Sequence, residues 1–169
     1  MLAGFEKAPL APDLARTLRA EIEAFHAEYC AALDDDRIGD WPEFFTEDAV
    51  YRITARENAD AGLPVGLVYC EGMGMLRDRA LAIAKTEMFA PRYLLHHVSN
   101  VRVLSAADGI VAAQANYLVL QTLVDEPTTV HQAGRYYDRF RRLDGRLLLR
   151  ERHCVYDTLL IDNSLVMPV

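Results

Sequence analysis

The sequence predicts an α+β domain in which a curved antiparallel sheet wraps around N-terminal helices and encloses a cone-shaped interior. Three observations predict it. Helical periodicity is confined to the first half of the chain. After Pro91 come four long β runs, near residues 94–105, 110–124, 128–142 and 146–160, separated by the turn signals Asp108-Gly109, Glu126-Pro127 and Asp144-Gly145. Helices followed by an antiparallel meander is the α+β pattern. Finally, 169 residues with 51% hydrophobic side chains suffice for one core, and no repeat or linker divides them. Residues 1–12, with Pro9 and Pro12 and no periodicity, read as a loose arm, and residues 13–169 as the single domain.

The elements follow in order. Leu14, Leu18, Ile22, Phe25, Tyr29 and Leu33 recur at helical intervals as one apolar stripe. Asp13 stands where an N-cap belongs. The run Asp34-Asp35-Asp36 closes this helix, although carboxylates oppose the macrodipole there. It reads as a solvated turn, with a metal site as the competing reading. Asp40-Trp41-Pro42-Glu43 opens a short second helix, Pro42 lying in the first turn where a missing N–H is harmless. Ala49–Thr54 alternates and is rich in β-branched residues, as a strand should be. Residues 55–66 form a loop, Leu67–Cys70 a short strand, and residues 73–87 a third helix with Met73, Leu76, Ala80 and Ile83 on one face.

Side chains alternate along a strand, so each late run divides into two faces. A two-residue turn at Asp144-Gly145 pairs Phe140 with Leu149 and Arg142 with Leu147. Continued without interruption, that register puts Tyr136, Asp138, Glu151, His153 and Val155 inside. It puts Arg135, Tyr137, Arg139, Arg141, Arg150, Arg152 and Cys154 outside, with Arg139 facing Arg150. Facing like charges repel unless solvent or an acidic partner screens them. The outer arginines are therefore a solvated face or a partner surface. The inner polar set is an acid–base site or a paired core network. Parity also places His97 with Val101 and Val103 on the more apolar side, and His96 with Asn100 and Arg102. Adjacent strand histidines point apart and do not readily share a metal ion.

Composition narrows the function. Net charge is −7, and residues 1–62 carry 14 acidic against 6 basic side chains. That balance argues against nonspecific nucleic-acid binding, which needs a positive surface. No apolar run is long enough to span a membrane, and no basic-then-apolar leader opens the chain, so a cytoplasmic protein is expected. Cys30, Cys70 and Cys154 are odd in number and widely separated, which fits neither a disulfide framework nor a zinc knuckle. Ser99, Ser105 and Ser164 lie in no G-x-S-x-G elbow, and no phosphate loop or H-E-x-x-H is present.

The segment Trp41-Pro-Glu-Phe-Phe-Thr-Glu-Asp48-Ala-Val-Tyr51-Arg-Ile resembles the small (β) subunit of aromatic-ring-hydroxylating dioxygenases. So do Arg56-Glu-Asn58, Gly62-Leu-Pro64 and Met75–Arg79. His96-His97-Val-Ser-Asn100-Val-Arg-Val, Arg152-His-Cys-Val-Tyr-Asp157 and Leu160-Ile-Asp-Asn163 continue the likeness. It covers about residues 15–169, and the Arg56–Pro64 loop looks most like the salicylate, anthranilate and terephthalate subgroup. The resemblance implies the cone fold of nuclear transport factor 2, ketosteroid isomerase and scytalone dehydratase. It also implies a non-catalytic chain, with no cofactor or metal of its own, supporting a large α subunit in oxidation of an aromatic, carboxylated compound. That subunit would hold the Rieske [2Fe–2S] centre and mononuclear Fe(II), with NAD(P)H as ultimate reductant. Self-association as a trimer within an α3β3 assembly is implied too. The ligand census agrees: a Rieske centre needs two Cys and two His, and no Cys-x-His pair occurs here. On this reading Arg135, Arg139, Arg141, Arg150 and Arg152 are interface candidates, and Trp41 and Tyr51 are packing anchors. The alternative is a stand-alone cone-fold lyase or isomerase using His97, His153, Asp138 or Glu151 as acid–base groups, since this fold hosts both roles.

Overall fold

The computed structural model describes residues 2–86, 89–161 and 165–169. Glu87, at the expected end of the third helix, and Asp162, Asn163 and Ser164 lie outside the described residues. Helix α1 spans Pro12–Asp34 and buries Leu18, Ile22, His26, Tyr29, Cys30 and Leu33, while Leu14 stays exposed. Its N-cap is Ala11, with Pro12 in the first turn; Asp13 does not cap but pairs with Arg16 one turn on. The helix stops through backbone geometry. Asp36 adopts a left-handed φ of 58°, Arg37 N–H donates to Ala32 C=O, and Asp36 N–H donates to Leu33 C=O. That double closure satisfies the last carbonyls despite the unfavourable aspartates.

The second helix is a 3₁₀ helix, Ile38–Phe44, and it carries Trp41 into the core. Strand β1 (Phe45–Ala55) follows, then a short helix α2 (Arg56–Asp60) inside the expected loop, β2 (Val68–Glu71) and α3 (Gly72–Lys85). Strands β3 (Arg92–Ala107), β4 (Ile110–Leu123), β5 (Thr129–Leu143) and β6 (Arg146–Tyr156) complete a six-stranded sheet ordered β2-β1-β6-β5-β4-β3. The α+β architecture is the one expected. The sheet is antiparallel except between its second and third strands, where β1 and β6 run parallel. Those strands are far apart in sequence, and everything between them serves as the crossover that a parallel pair requires. Helix α1 packs across β3, and α3 packs on β1 and the 3₁₀ helix. Among the described residues no helix is long and apolar enough to cross a membrane.

Two of the sheet's register shifts decide where the polar side chains of β3 and β6 point. In the β5–β6 hairpin Phe140 faces Leu149 and Arg142 faces Leu147, but Arg139 faces Glu151. Arg150 is therefore an extra residue, and a bulge reverses the parity beyond it. Arg152 and Cys154 turn inward; Glu151, His153 and Val155 turn outward. In β3 the register shifts between Ser99 and Arg102, where Asn100 has φ 55°. That shift puts His96 on the same buried side as Val101 and leaves His97 exposed, the reverse of uninterrupted alternation.

The N-terminal arm is not loose. Phe5 is 1% exposed, sits edge-on to Tyr137 at 5.3 Å, and lies under the Arg139 guanidinium. Ala8 N–H donates to Leu104 C=O at 2.8 Å. The arm thus covers an apolar patch of Leu104, Ala112, Tyr137 and Val155 on the outer sheet face. At the other end, Val169 enters the main core, its carbonyl accepting from the Tyr29 and Tyr51 hydroxyls at 3.2 and 3.3 Å.

Candidate functional site

The interior of the cone holds a sealed ionic cluster. The Arg152 guanidinium, 0% exposed, donates through Nε and Nη2 to Asp138 Oδ1 and Oδ2 at 2.9 and 2.8 Å. This paired fork is the strong form of an arginine–carboxylate contact. The guanidinium is sandwiched between the Tyr29 and Tyr136 rings, 4.2 and 4.1 Å from their centroids. His26 Nδ1 lies 3.0 Å from Arg152 Nη2. Arginine only donates, so Nδ1 accepts and His26 carries its proton on Nε2. Burial first, and the Arg152 charge second, hold the His26 pKa well below that of ordinary imidazole. Burial pushes the Asp138 carboxyl up while Arg152 pulls it back. Arg152 stays protonated, because a guanidinium does not surrender its proton in a protein.

This arrangement ties α1 to β5 and β6 through His26, Asp138 and Arg152. The cluster's neighbours are core side chains, and burial raises the thiols of Cys30, to about 12, and of Cys154. The hollow that His26 shares with His96, Cys30 and Glu23 measures about 170 Å³. Small-molecule sites commonly need roughly 300 Å³ or more.

The four acid–base candidates do not converge. Only Asp138 is inside the cone. His97 is exposed on β3, while Glu151 faces outward in an ion pair with Arg139. His153 is buried on the outer face, its pKa lowered to about 4 by burial and then by Arg52. The structure supplies polar pairs that alternation alone did not reveal. Asp34, in the run read as a solvated turn, accepts from the His96 backbone N–H at 3.0 Å, and its Oδ1 lies 2.6 Å from His96 Nδ1. It pins the end of α1 to β3. His26 did carry a sequence signal, standing four residues from both Ile22 and Cys30 on the buried stripe.

The arginines also separate. Arg152 is inside, contrary to the uninterrupted register. Arg139 pairs with Glu151 and donates to Gly4 C=O at 2.9 Å. Arg150 and Arg141 both reach Asp48, at 2.8 and 3.5 Å, and the Thr46 hydroxyl with these arginines holds that carboxyl below its usual range. Arg135 approaches Asp157 at 3.5 Å. No clash of Arg139 with Arg150 arises, because the bulge inserts Glu151 as the partner. Among the described residues no three His, Cys, Asp or Glu side chains are placed to hold a metal ion. The donor set therefore does not fit an iron–sulfur cluster or a mononuclear iron.

Comparison with known proteins adds a family likeness to this geometry. A family model described as ring hydroxylating beta subunit matches residues 29–163. The chain is 37% identical over 149 residues to the anthranilate 1,2-dioxygenase small subunit of Burkholderia cepacia, covering 88% of this chain and 92% of that one. It is 33% identical over 150 residues to terephthalate 1,2-dioxygenase terminal oxygenase subunit beta 2 of a Comamonas species, covering 88% and 97%. A crystal structure from Novosphingobium aromaticivorans, assigned as the beta subunit of an aromatic-ring-hydroxylating dioxygenase, superposes with a TM-score of 0.84 at 38% identity. That superposition covers 91% of this chain and 98% of the other.

Proposed function

The chain belongs to the ring-hydroxylating beta subunit family, and from that premise we propose that it is the structural subunit of a Rieske-type dioxygenase acting on an aromatic carboxylic acid. The family match carries the reading. The interior supports it: an arginine–carboxylate pair between tyrosines fills the cone at Asp138 and Arg152, and the hollow beside His26 measures about 170 Å³. Its partner is the large alpha subunit. On this reading that subunit holds the [2Fe–2S] centre and the mononuclear Fe(II), and NAD(P)H is the ultimate reductant. The carboxylated substrate class rests on anthranilate and terephthalate, the compounds named for two relatives. Self-association as a trimer, an α3β3 assembly and a cytoplasmic location complete the proposal.

The lyase or isomerase reading is not favoured, since its candidate groups sit on opposite faces of the sheet. The test is co-expression with a Rieske-type large subunit and purification through a tag on this chain alone. Co-elution of both chains, with visible iron–sulfur absorbance and oxygenation of an aromatic acid, is the expected result. A chain that never retains the large subunit, yet turns over a substrate alone, would overturn it.

A further inference from the structure

Two adjoining hollows, about 540 and 430 Å³, share Arg19 and Arg102 where the bulge at Asn100 bends β3. Their cationic lining is Lys7, Arg16, Arg19, Arg102 and Arg135, and no Asp or Glu lines either hollow among the described residues. Neutral amides from Asn100, Gln114 and Asn116 complete the second hollow. Arg19 Nε donates to Val101 C=O at 3.1 Å, and Arg102 Nη1 donates to Gln114 Oε1 at 3.0 Å. These bonds anchor two guanidiniums and leave N–H groups on each for a carboxylate. Arg16 is paired with Asp13 and Arg135 reaches Asp157 at 3.5 Å, so in a chain of net charge −7 it is Lys7, Arg19 and Arg102, with the remaining N–H groups of Arg135, that form a binding surface for anions.

The complementary charge lies at the far end of α1. Asp35 and Asp36 are exposed there, and the last turn contains no basic residue. Asp35 has a 3.7 Å contact with Arg37, which itself bonds Asp40 at 2.8 Å. Carboxylates at a helix C-terminus oppose its dipole, and an external cation offsets that cost. Helix α1 has 23 residues, so its ends stand roughly 34 Å apart at 1.5 Å per residue. The basic trough beside Arg16 and Arg19 and the aspartates at the other end cannot meet within one molecule. They can meet between molecules, head to tail, and a head-to-tail contact is the kind that closes a ring.

We propose that the Arg19–Arg102–Arg135 trough receives the Asp35–Asp36 end of α1 from a second copy of this chain. The inference rests on the self-association reading and deepens it by naming the contact. Of the outer arginines expected at an interface, Arg135 is the one that lines this trough.

The test uses the full chain in analytical ultracentrifugation at low and high salt, with circular dichroism as the folding control. Arg102→Glu with Arg135→Glu, and separately Asp35→Lys with Asp36→Asn, are each expected to weaken self-association roughly tenfold or more. Asparagine is chosen because it tolerates the left-handed backbone at position 36. The four changes combined in one chain should restore association, which simple damage to the fold would not do. High salt should weaken the wild-type assembly. Unchanged mass in both double variants, a wild-type monomer, or a combined variant that stays dissociated would overturn the proposal. Retention of the large subunit is assayed in parallel. Its loss in the arginine variant with self-association intact would assign the trough to that subunit and overturn this contact, while leaving the structural-subunit reading standing.

Discussion

Replacing Asp138 with Ala isolates the energetics of the sealed cluster. The change removes both carboxylate acceptors of Arg152 and leaves a guanidinium, 0% exposed, with no carboxylate beside it. His26 cannot compensate, because its one contact with Arg152 uses a neutral nitrogen at 3.0 Å. The tyrosine rings at 4.1 and 4.2 Å offset part of the loss through cation–π attraction. Breaking one side of a buried pair costs about 3–5 kcal/mol. With a urea slope near 2 kcal/mol/M, the midpoint should fall by about 2 M. The paired change Asp138→Leu with Arg152→Met removes both charges and keeps the volume. It should recover most of that loss, because desolvation of the two ions disappears together with their attraction. Urea unfolding followed by tryptophan fluorescence and far-ultraviolet circular dichroism reads both variants. A single variant within 1 kcal/mol of wild type, or a double variant no more stable than the single, would refute the reasoning.

Trp41 donates from Nε1 to the Tyr29 hydroxyl at 2.9 Å and sits edge-on to Phe45 and Tyr51. Trp41→Ala should cost about 3–5 kcal/mol in chemical denaturation, and native fluorescence typical of water-exposed indole would contradict its burial. His153 titrates near 4 in the folded chain, against 6.5 for an ordinary imidazole. The unfolded chain therefore binds the extra proton first, so stability is full above pH 6.5 and declines toward pH 4. The decline from this group approaches about 3 kcal/mol, and His153→Gln should flatten that part of the stability–pH curve. Deleting Arg150 removes the extra residue and leaves Leu149 opposite Phe140 and Glu151 opposite Arg139 in unbroken alternation, so Arg152 still faces inward and cooperative unfolding should survive. Arg150→Ala keeps the bulge and should cost only about 1 kcal/mol or less; loss of cooperative unfolding in either variant would sink the account.

Local chemistry made much of the molecule legible in advance. The stripe from Leu18 to Leu33 specifies α1 because only one helical face is apolar. Asp108-Gly109 and Asp144-Gly145 adopt the positive φ values that tight hairpins demand, so both β turns could be located without the structure. The order of these elements sufficed for the fold class, and the Trp41–Ile53 segment with the later motifs, taken in their order and spacing, sufficed for the family. Tertiary structure decided which chemistry each polar side chain meets. A strand's alternation is reliable only while its register is unbroken, and one extra residue exchanges its two faces. Arg150 and Asn100 are such residues, and no residue type obliges a bulge at either position. Whether a bulge forms depends on what the whole cone gains from it. At Arg150 the gain is Arg152 turned onto Asp138 between two tyrosines, with Glu151 left outside for Arg139. At Asn100 it is His96 turned onto Asp34. Those partners lie 14 and 62 residues away in sequence, so only the closed sheet with α1 laid across it brings them together.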